Sequence, residues 1–257
     1  PGADVYMAFA TPHNIEFVKK FISGKIFTSP FNTFSFGGKI TDWYKPFLYF
    51  WWEDLDLSNY DLVISSSHSF SSKSVVTKSP AVHISYIHTP PRYLWEEFNE
   101  SQWINKQPFR LILSPIIWWL RKKDVQSAQR PTMLIANSKA VQKRIKKYYH
   151  RESVVIPPPI KIPKKVLNIN KSEYFLVVSR LVKQKGIELA IKATAKLKWQ
   201  LKIVGVGAQE RYLRSIAGLN TRFLGNVTDE DLEKIYRKAK ALIFCGRDED
   251  FGLVPVE

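Results

Sequence analysis

YFLVVSRLVKQKGIELAIKA, residues 174–193, begins as a strand and ends as a helix. Tyr174 to Ser179 is a short apolar run rich in β-branched and aromatic residues, the composition of a strand buried on both faces. From Gly186 to Leu197 the period changes: Ile187, Ala190, Ile191 and Leu197 fall on one side of a helix. Toward the C-terminus the alternation continues. Gln200 to Val204 reads as a strand, Gly205 to Gly207 leads into a helix around Gln209 to Ala217, and Arg222 to Leu224 is a short strand. Thr228 with Asp231 three residues on has the pattern of a capping box, and Leu232, Ile235, Tyr236 and Ala239 then share a helical face. Ala241 to Phe244 is predicted as a further strand. Strict strand–helix alternation implies right-handed crossovers and a parallel sheet, that is, a Rossmann-like unit.

Toward the N-terminus, Pro157, Pro158 and Pro159 interrupt the pattern, because consecutive prolines fix an extended backbone and cannot sit in a central strand. Ile160 to Lys171 has little periodic apolar content and reads as a linker. Beyond it, Asp61 to Ser65, Val82 to His88 and Met133 to Ala136 are buried-strand patterns, with helices expected near Phe109 to Gln126 and Lys139 to Tyr149. Phe27 to Tyr49 shows no assignable pattern. The chain thus divides into an α/β unit at 1–156, a linker at 157–171 and a second α/β unit at 172–257.

A 257-residue chain with 45% hydrophobic residues can build a sizeable core and is not disordered in composition. The single cysteine, Cys245, excludes an internal disulfide, and a reducing, cytoplasmic setting is the simplest expectation. No run reaches the about 20 apolar residues of a membrane span. The net charge of +16 is shared evenly, +8 in residues 1–153 and +8 in 154–257, so there is no basic tail. Such a balance favours polyanions, anionic lipid headgroups or phosphorylated substrates. Seven of the eight tryptophans precede residue 120. In Ile116 to Lys123 (IIWWLRKK) aromatics stand beside cations, as in interfacial segments; a buried helix with a basic end is the plainer reading.

In an open parallel sheet, ligands bind beyond the carboxyl ends of the strands. Three groups of residues fall there. Arg180 follows one strand and Lys185 precedes the next helix; both are cations beside a helix N-terminus, which itself favours anions. Gly205 and Gly207 follow the second strand and permit close backbone approach. EDFGLVPVE, residues 249–257, follows the last strand and carries Glu249 and Glu257, whose carboxylates can accept hydrogen bonds from sugar hydroxyls. The first two groups suit a phosphate or diphosphate. Singly each also reads as an ordinary turn, and the acidic spacing alone as a solvated loop.

Several segments, in order, resemble the retaining glycosyltransferases of family four, which have the GT-B fold of two Rossmann-like domains. They are YDLVISSSH (60–68), YIHTPPRYLWE (86–96), SAQRPTMLIANSKAVQKRIKKYYHRESVVIPPPI (127–160), YFLVVSRLVKQKGIELAIKA (174–193), LKIVGVGAQ (201–209), RFLGNVTDEDLEKIYRKAKALIF (222–244) and EDFGLVPVE (249–257). The likeness is greatest to bacterial mannosyltransferase-like members. It implies an acceptor-side first domain and a nucleotide-sugar donor domain, both incomplete because the chain is truncated at both ends. Arg180 and Lys185 match residues that bind the donor diphosphate. Glu249 matches a Glu facing the donor sugar, and Glu257 one that binds the ribose. Phe251, Gly252 and Leu253 match backbone contacts near the sugar, Gly205 and Gly207 the loop near the nucleotide, and His88 a His facing the donor sugar. The implied catalytic set is Glu249, His88, Lys185 and Arg180, with no metal and no cofactor beyond the donor, for which GDP-mannose is the expectation. The acceptor would be a glycan or lipid-linked saccharide, in polysaccharide biosynthesis. Two positions depart from the family pattern: the loop reads Gly205-Val206-Gly207-Ala208 rather than Gly-Asp-Gly-Pro, and Cys245 stands where a proline is usual.

The competing readings are an inactive fragment, a non-enzymatic basic protein binding a membrane surface or a polyanion, and a GT-B relative with phosphorylase or epimerase chemistry. No nucleic-acid module is recognisable, so nucleic acid is not an expected partner. Peripheral contact with an anionic membrane, at its inner face, is compatible with the enzyme reading.

Overall fold

A computed structural model describes residues 2–34, 41–68, 71–95, 109–160, 173–246 and 249–256. The chain forms two compact units, the first ending at Val155 and the second beginning at Ile156. Most of the linker stretch, residues 161–171, lies outside the described residues.

In the first unit β1 (Val5–Met7), α1 (Pro12–Lys19) and β2 (Ile26–Thr28) form a small βαβ arrangement, with β1 and β2 pairing parallel. Then come α2 (Thr41–Glu53), β3 (Leu62–His68), β4 (Val82–Thr89), the one-turn α3 (Arg92–Trp95), α4 (Phe109–Gln129), β5 (Met133–Ala136), α5 (Lys139–Tyr149) and β6 (Val154–Val155). The sheet is parallel in the order β3-β4-β5-β6. Most of β2 and α2 overlaps Phe27 to Tyr49, the region without an assignable sequence pattern. One sheet face is buried: Ile87, Leu134 and Ala136 pack with Ala128 of α4 and with Val141, Ile145 and Tyr149 of α5. On α2, Leu48 and Trp52 pack with Leu57 and Val75. Asp124 of α4 is fully buried and accepts from Lys73 Nζ (2.5 Å), Tyr49 Oη (3.2 Å) and Trp95 Nε1 (2.8 Å), so α2, α3 and α4 are tied by one satisfied carboxylate.

The second unit is β7 (Tyr174–Val178), α6 (Ile187–Lys196), β8 (Gln200–Val204), α7 (Glu210–Ile216), β9 (Thr221–Gly225), α8 (Asp229–Lys238) and β10 (Ala241–Leu242). Its sheet is parallel in the order β10-β7-β8-β9 and is covered on both faces. Phe175, Val177, Leu201 and Ile203 face α6 and α7 through Ile187, Ile191 and Leu213. Tyr174, Leu176 and Val204 face α8 through Leu232, Ile235, Tyr236 and Ala239. Two sequence expectations are corrected. Leu197 is half exposed and Thr194 is buried on α6 instead, because the helix ends at Lys196 and Leu197 lies beyond its last turn. The strand expected over Ala241 to Phe244 pairs with β7 only through Ala241 and Leu242; Ile243 N still donates to the carbonyl of Leu176, after which the chain leaves the sheet.

Candidate functional site

The strand order decides where a site can form in the second unit. β7 leads through α6 to β8 on one side, whereas β9 returns through α8 to place β10 on the other side of β7. α6 and α8 cover opposite faces of the sheet. The chain therefore diverges between β7 and β10, and at such a switch point a crevice opens beyond the strand ends. A small pocket lies there, lined by Ser179, Lys185, Ile187, Phe244, Cys245 and Gly246.

Lys185 reaches this crevice from the helical turn Lys183–Lys185 that precedes α6. Glu249 reaches it from the loop after β10. Lys185 Nζ donates to Glu249 Oε1 at 2.5 Å, and both side chains are about three-quarters buried, at 23% and 25% exposure. This ion pair joins two of the sequence-predicted residues across 64 positions. Arg180 lies on the same sheet edge, directly after β7, and is exposed. Burial pushes the Cys245 thiol above its ordinary value, so at neutral pH it is a packing group rather than a nucleophile.

Glycines shape the crevice. Gly186 has φ +61°, and a Cβ there would lie 2.7 Å from the carbonyl oxygen of Cys245, so the Lys185 turn and the chain after β10 meet backbone to backbone. At Gly246 a Cβ would lie 2.4 Å from Glu249 Oε1, so a side chain there would displace the carboxylate from Lys185. Gly205 and Gly207 were expected to admit a ligand. The close approach they make in the structure is to the chain itself, with Cβ positions 2.0 Å from the Ser179 oxygen and 2.5 Å from the Leu181 oxygen. Leu181 N donates to Val206 O and Gln209 N to Leu181 O, which clamps this loop against the segment carrying Arg180. Gly252 has φ +77° and Phe251 is half-buried beside it, while Leu253 is exposed. Glu257 lies outside the described residues.

His88 belongs to the first unit, near the carboxyl end of β4. Its Nε2 is 2.9 Å from Ser66 Oγ, and the rings of Tyr86 and His68 lie 5.0 and 6.1 Å from its own. Sequence reading missed Ser66 and Tyr86. Their signal was register: Ser66 pairs with Tyr86, so both share the sheet face of His88. Gly186 and Gly246 were missed as well, and only the contacts of their backbone reveal them. Among the described residues no cluster of three or more His, Cys, Asp or Glu is placed to hold a metal ion.

Residues 160–257 match the family described as Glycosyl transferases group 1, and every second-unit residue discussed above falls in that span. The chain is 35% identical over 91 residues to an uncharacterized glycosyltransferase of Methanocaldococcus jannaschii, an alignment over 32% of this chain and 23% of that protein, so it spans about a quarter of the curated relative it matches. Among solved structures it resembles a sucrose-phosphate synthase from Thermosynechococcus elongatus with a TM-score of 0.61 at 14% identity, over 98% of this chain and 77% of that one. It also resembles TarM with a TM-score of 0.52 at 17% identity, over 77% of this chain and 39% of that one. At these identities the likeness speaks for the fold, an α/β architecture with parallel sheets of the GT-B type.

Proposed function

We propose that the chain is part of a retaining glycosyltransferase that moves a hexose from a nucleotide-diphospho-sugar to an acceptor hydroxyl. The observation that carries this reading is the Lys185–Glu249 pair at the switch point of the second sheet, inside the span that matches the glycosyl transferase family. A cation and a carboxylate held together in a crevice supply both groups that a diphospho-sugar needs. On donor binding Lys185 exchanges its carboxylate partner for a diphosphate oxygen, with Arg180 on the same edge. Glu249, released, accepts hydrogen bonds from the sugar hydroxyls. As the bond from the anomeric carbon to the diphosphate breaks, negative charge grows on the leaving oxygen, where fixed cations lower the barrier most. In the front-face course that retention implies, the acceptor oxygen bonds to the anomeric carbon and its proton passes to the departing phosphate. Phe251, Gly252 and Leu253 border the sugar and Glu257 takes the ribose; His88, whose Nε2 lies 2.9 Å from Ser66 Oγ, is kept as a member of the catalytic set. GDP-mannose as donor, a glycan or lipid-linked acceptor and a cytoplasmic setting complete the reading.

Titration calorimetry with GDP, UDP and their sugar conjugates tests it. Losing a charge-assisted hydrogen bond to phosphate typically costs about 1.5–3 kcal/mol, about tenfold or more in affinity. Lys185→Ala is therefore expected to weaken both nucleotide and nucleotide sugar by at least that factor. Glu249→Gln should weaken the sugar conjugate relative to the bare nucleotide. Wild-type affinity in both variants would overturn the assignment.

A further inference from the structure

Two helices of the first unit present aromatic side chains that the core does not use. On α2, Leu48, Tyr49 and Trp52 are buried, yet Phe47 and Phe50 stand 54% and 49% exposed. On α4, Leu120 and Asp124 are buried, yet Trp118 is 64% exposed. The two helices meet beside these residues, where the Phe50 ring stacks on Trp119, itself packed against Tyr49, Leu94 and Leu120, with centroids 6.0 Å apart. Lysines edge the ridge, with Lys122 Nζ 5.5 Å from the Trp118 ring and Lys123 Nζ 5.7 Å from the Phe50 ring. The nearby carboxylate of Glu53 is offset by Lys123 (3.4 Å) and Arg130 (2.9 Å), leaving Asp54 as the acid at the rim of the adjoining recess. Exposed Trp and Phe interleaved with lysines, which bury their stems and lift their ammonium groups, are the chemistry of a membrane interface. A protein core or a nucleic-acid groove asks for something else: packing on all sides in the first case, a stripe of unshielded cations in the second. Among the described residues no helix is long and apolar enough to cross a bilayer, so contact at this ridge would be peripheral.

We propose that the ridge formed by Phe47, Phe50 and Trp118, with Lys122, docks on an anionic membrane surface. The exposed aromatics enter the headgroup layer and Lys122 faces lipid phosphates, with the chain's charge of +16 adding long-range attraction. The proposal does not depend on glycosyl transfer, and its test is run without nucleotide sugar, so either reading can fail alone. Flotation with phosphatidylglycerol-containing vesicles and with phosphatidylcholine vesicles, at low and high salt, is the experiment. The full chain should float with the anionic vesicles and be released by salt. Phe50→Ser combined with Trp118→Ser should reduce binding about tenfold, as the loss of two inserted aromatics implies. If that variant melts below the wild type, Lys122→Glu, at a solvent-facing position, carries the test through loss of binding to anionic vesicles at low salt. Failure of the wild type to float, equal binding to both vesicle types, or full binding by the variants overturns the proposal. So does concentration-dependent self-association that the double substitution abolishes, which would make the ridge an interface between copies.

Discussion

Gly205 sits at φ +125° with the carbonyl oxygen of Ser179 only 2.0 Å from where a Cβ would be. No L-residue fits without moving the strand end that carries Arg180. Gly205→Ala should lower stability by at least about 2 kcal/mol, read as a reduced urea midpoint. His83 makes a different demand. It is fully buried on β4, its Nε2 lies 2.9 Å from Ser65 Oγ, and its Nδ1 has no partner. Protonation would bury a charge and an unsatisfied donor near Arg130, so burial, with the Arg130 charge, depresses its pKa from 6.5 to about 4. The unfolded chain then binds the proton first: the contribution is full above pH 6.5 and is lost as pH falls toward 4, amounting to about 3 kcal/mol over that window. Urea midpoints measured from pH 7 to pH 4 should fall accordingly, and His83→Gln should flatten that dependence. At this scale Lys185 stood out as a cation beside a helix start, whereas the spacing around Glu249 alone read as a solvated loop and only the family resemblance singled it out. Ser65, His83 and Ser85 were not, since their value lies in what they touch across β3 and β4.

Helix α8 begins where its capping pattern places it. Thr228 Oγ1 accepts from Asp231 N at 3.2 Å, and three acids fill the first turn, where the helix dipole favours negative charge. Thr228→Ala should cost about 1 kcal/mol, visible as a lower thermal midpoint for the second unit. Since α8 covers the face opposite α6, the Lys185–Glu249 pair should survive the substitution. Helix α5 also follows its sequence pattern: Ser138 caps it and His150 ends it in the left-handed region. Elements with caps and a strong period were readable. α2 was not, because its run of Tyr, Phe and Trp is apolar on both sides and lacks the polar face that marks a surface helix. Leu197 failed for another reason, since periodicity extends past a helix end that only backbone geometry defines.

For the molecule as a whole, the two four-stranded sheets differ in how they are covered. The second has helices on both faces. In the first, Leu62, Ile64, Val82, Met133 and Val154 share the face opposite the α4–α5 core and all remain exposed, Ile64 at 67%. Parallel sheets are ordinarily buried on both sides, and an open apolar face promotes association. Ile64→Ser should leave the unfolding free energy within about 0.5 kcal/mol of wild type. It should also reduce aggregation, measured by light scattering, and the binding of an apolar dye. An equal dye signal would mean that the face is covered in solution.

The sequence alone determined the alternation of strand and helix, the parallel character of the sheets and the charged residues at the strand ends. Each follows from local periodicity or from residue type beside a turn. Only the tertiary structure decided that β10 lies next to β7. Neighbouring strands are chosen by packing between segments far apart in the chain, and no local pattern records that choice. That adjacency makes the switch point, and it brings Lys185 and Glu249 within 2.5 Å of each other.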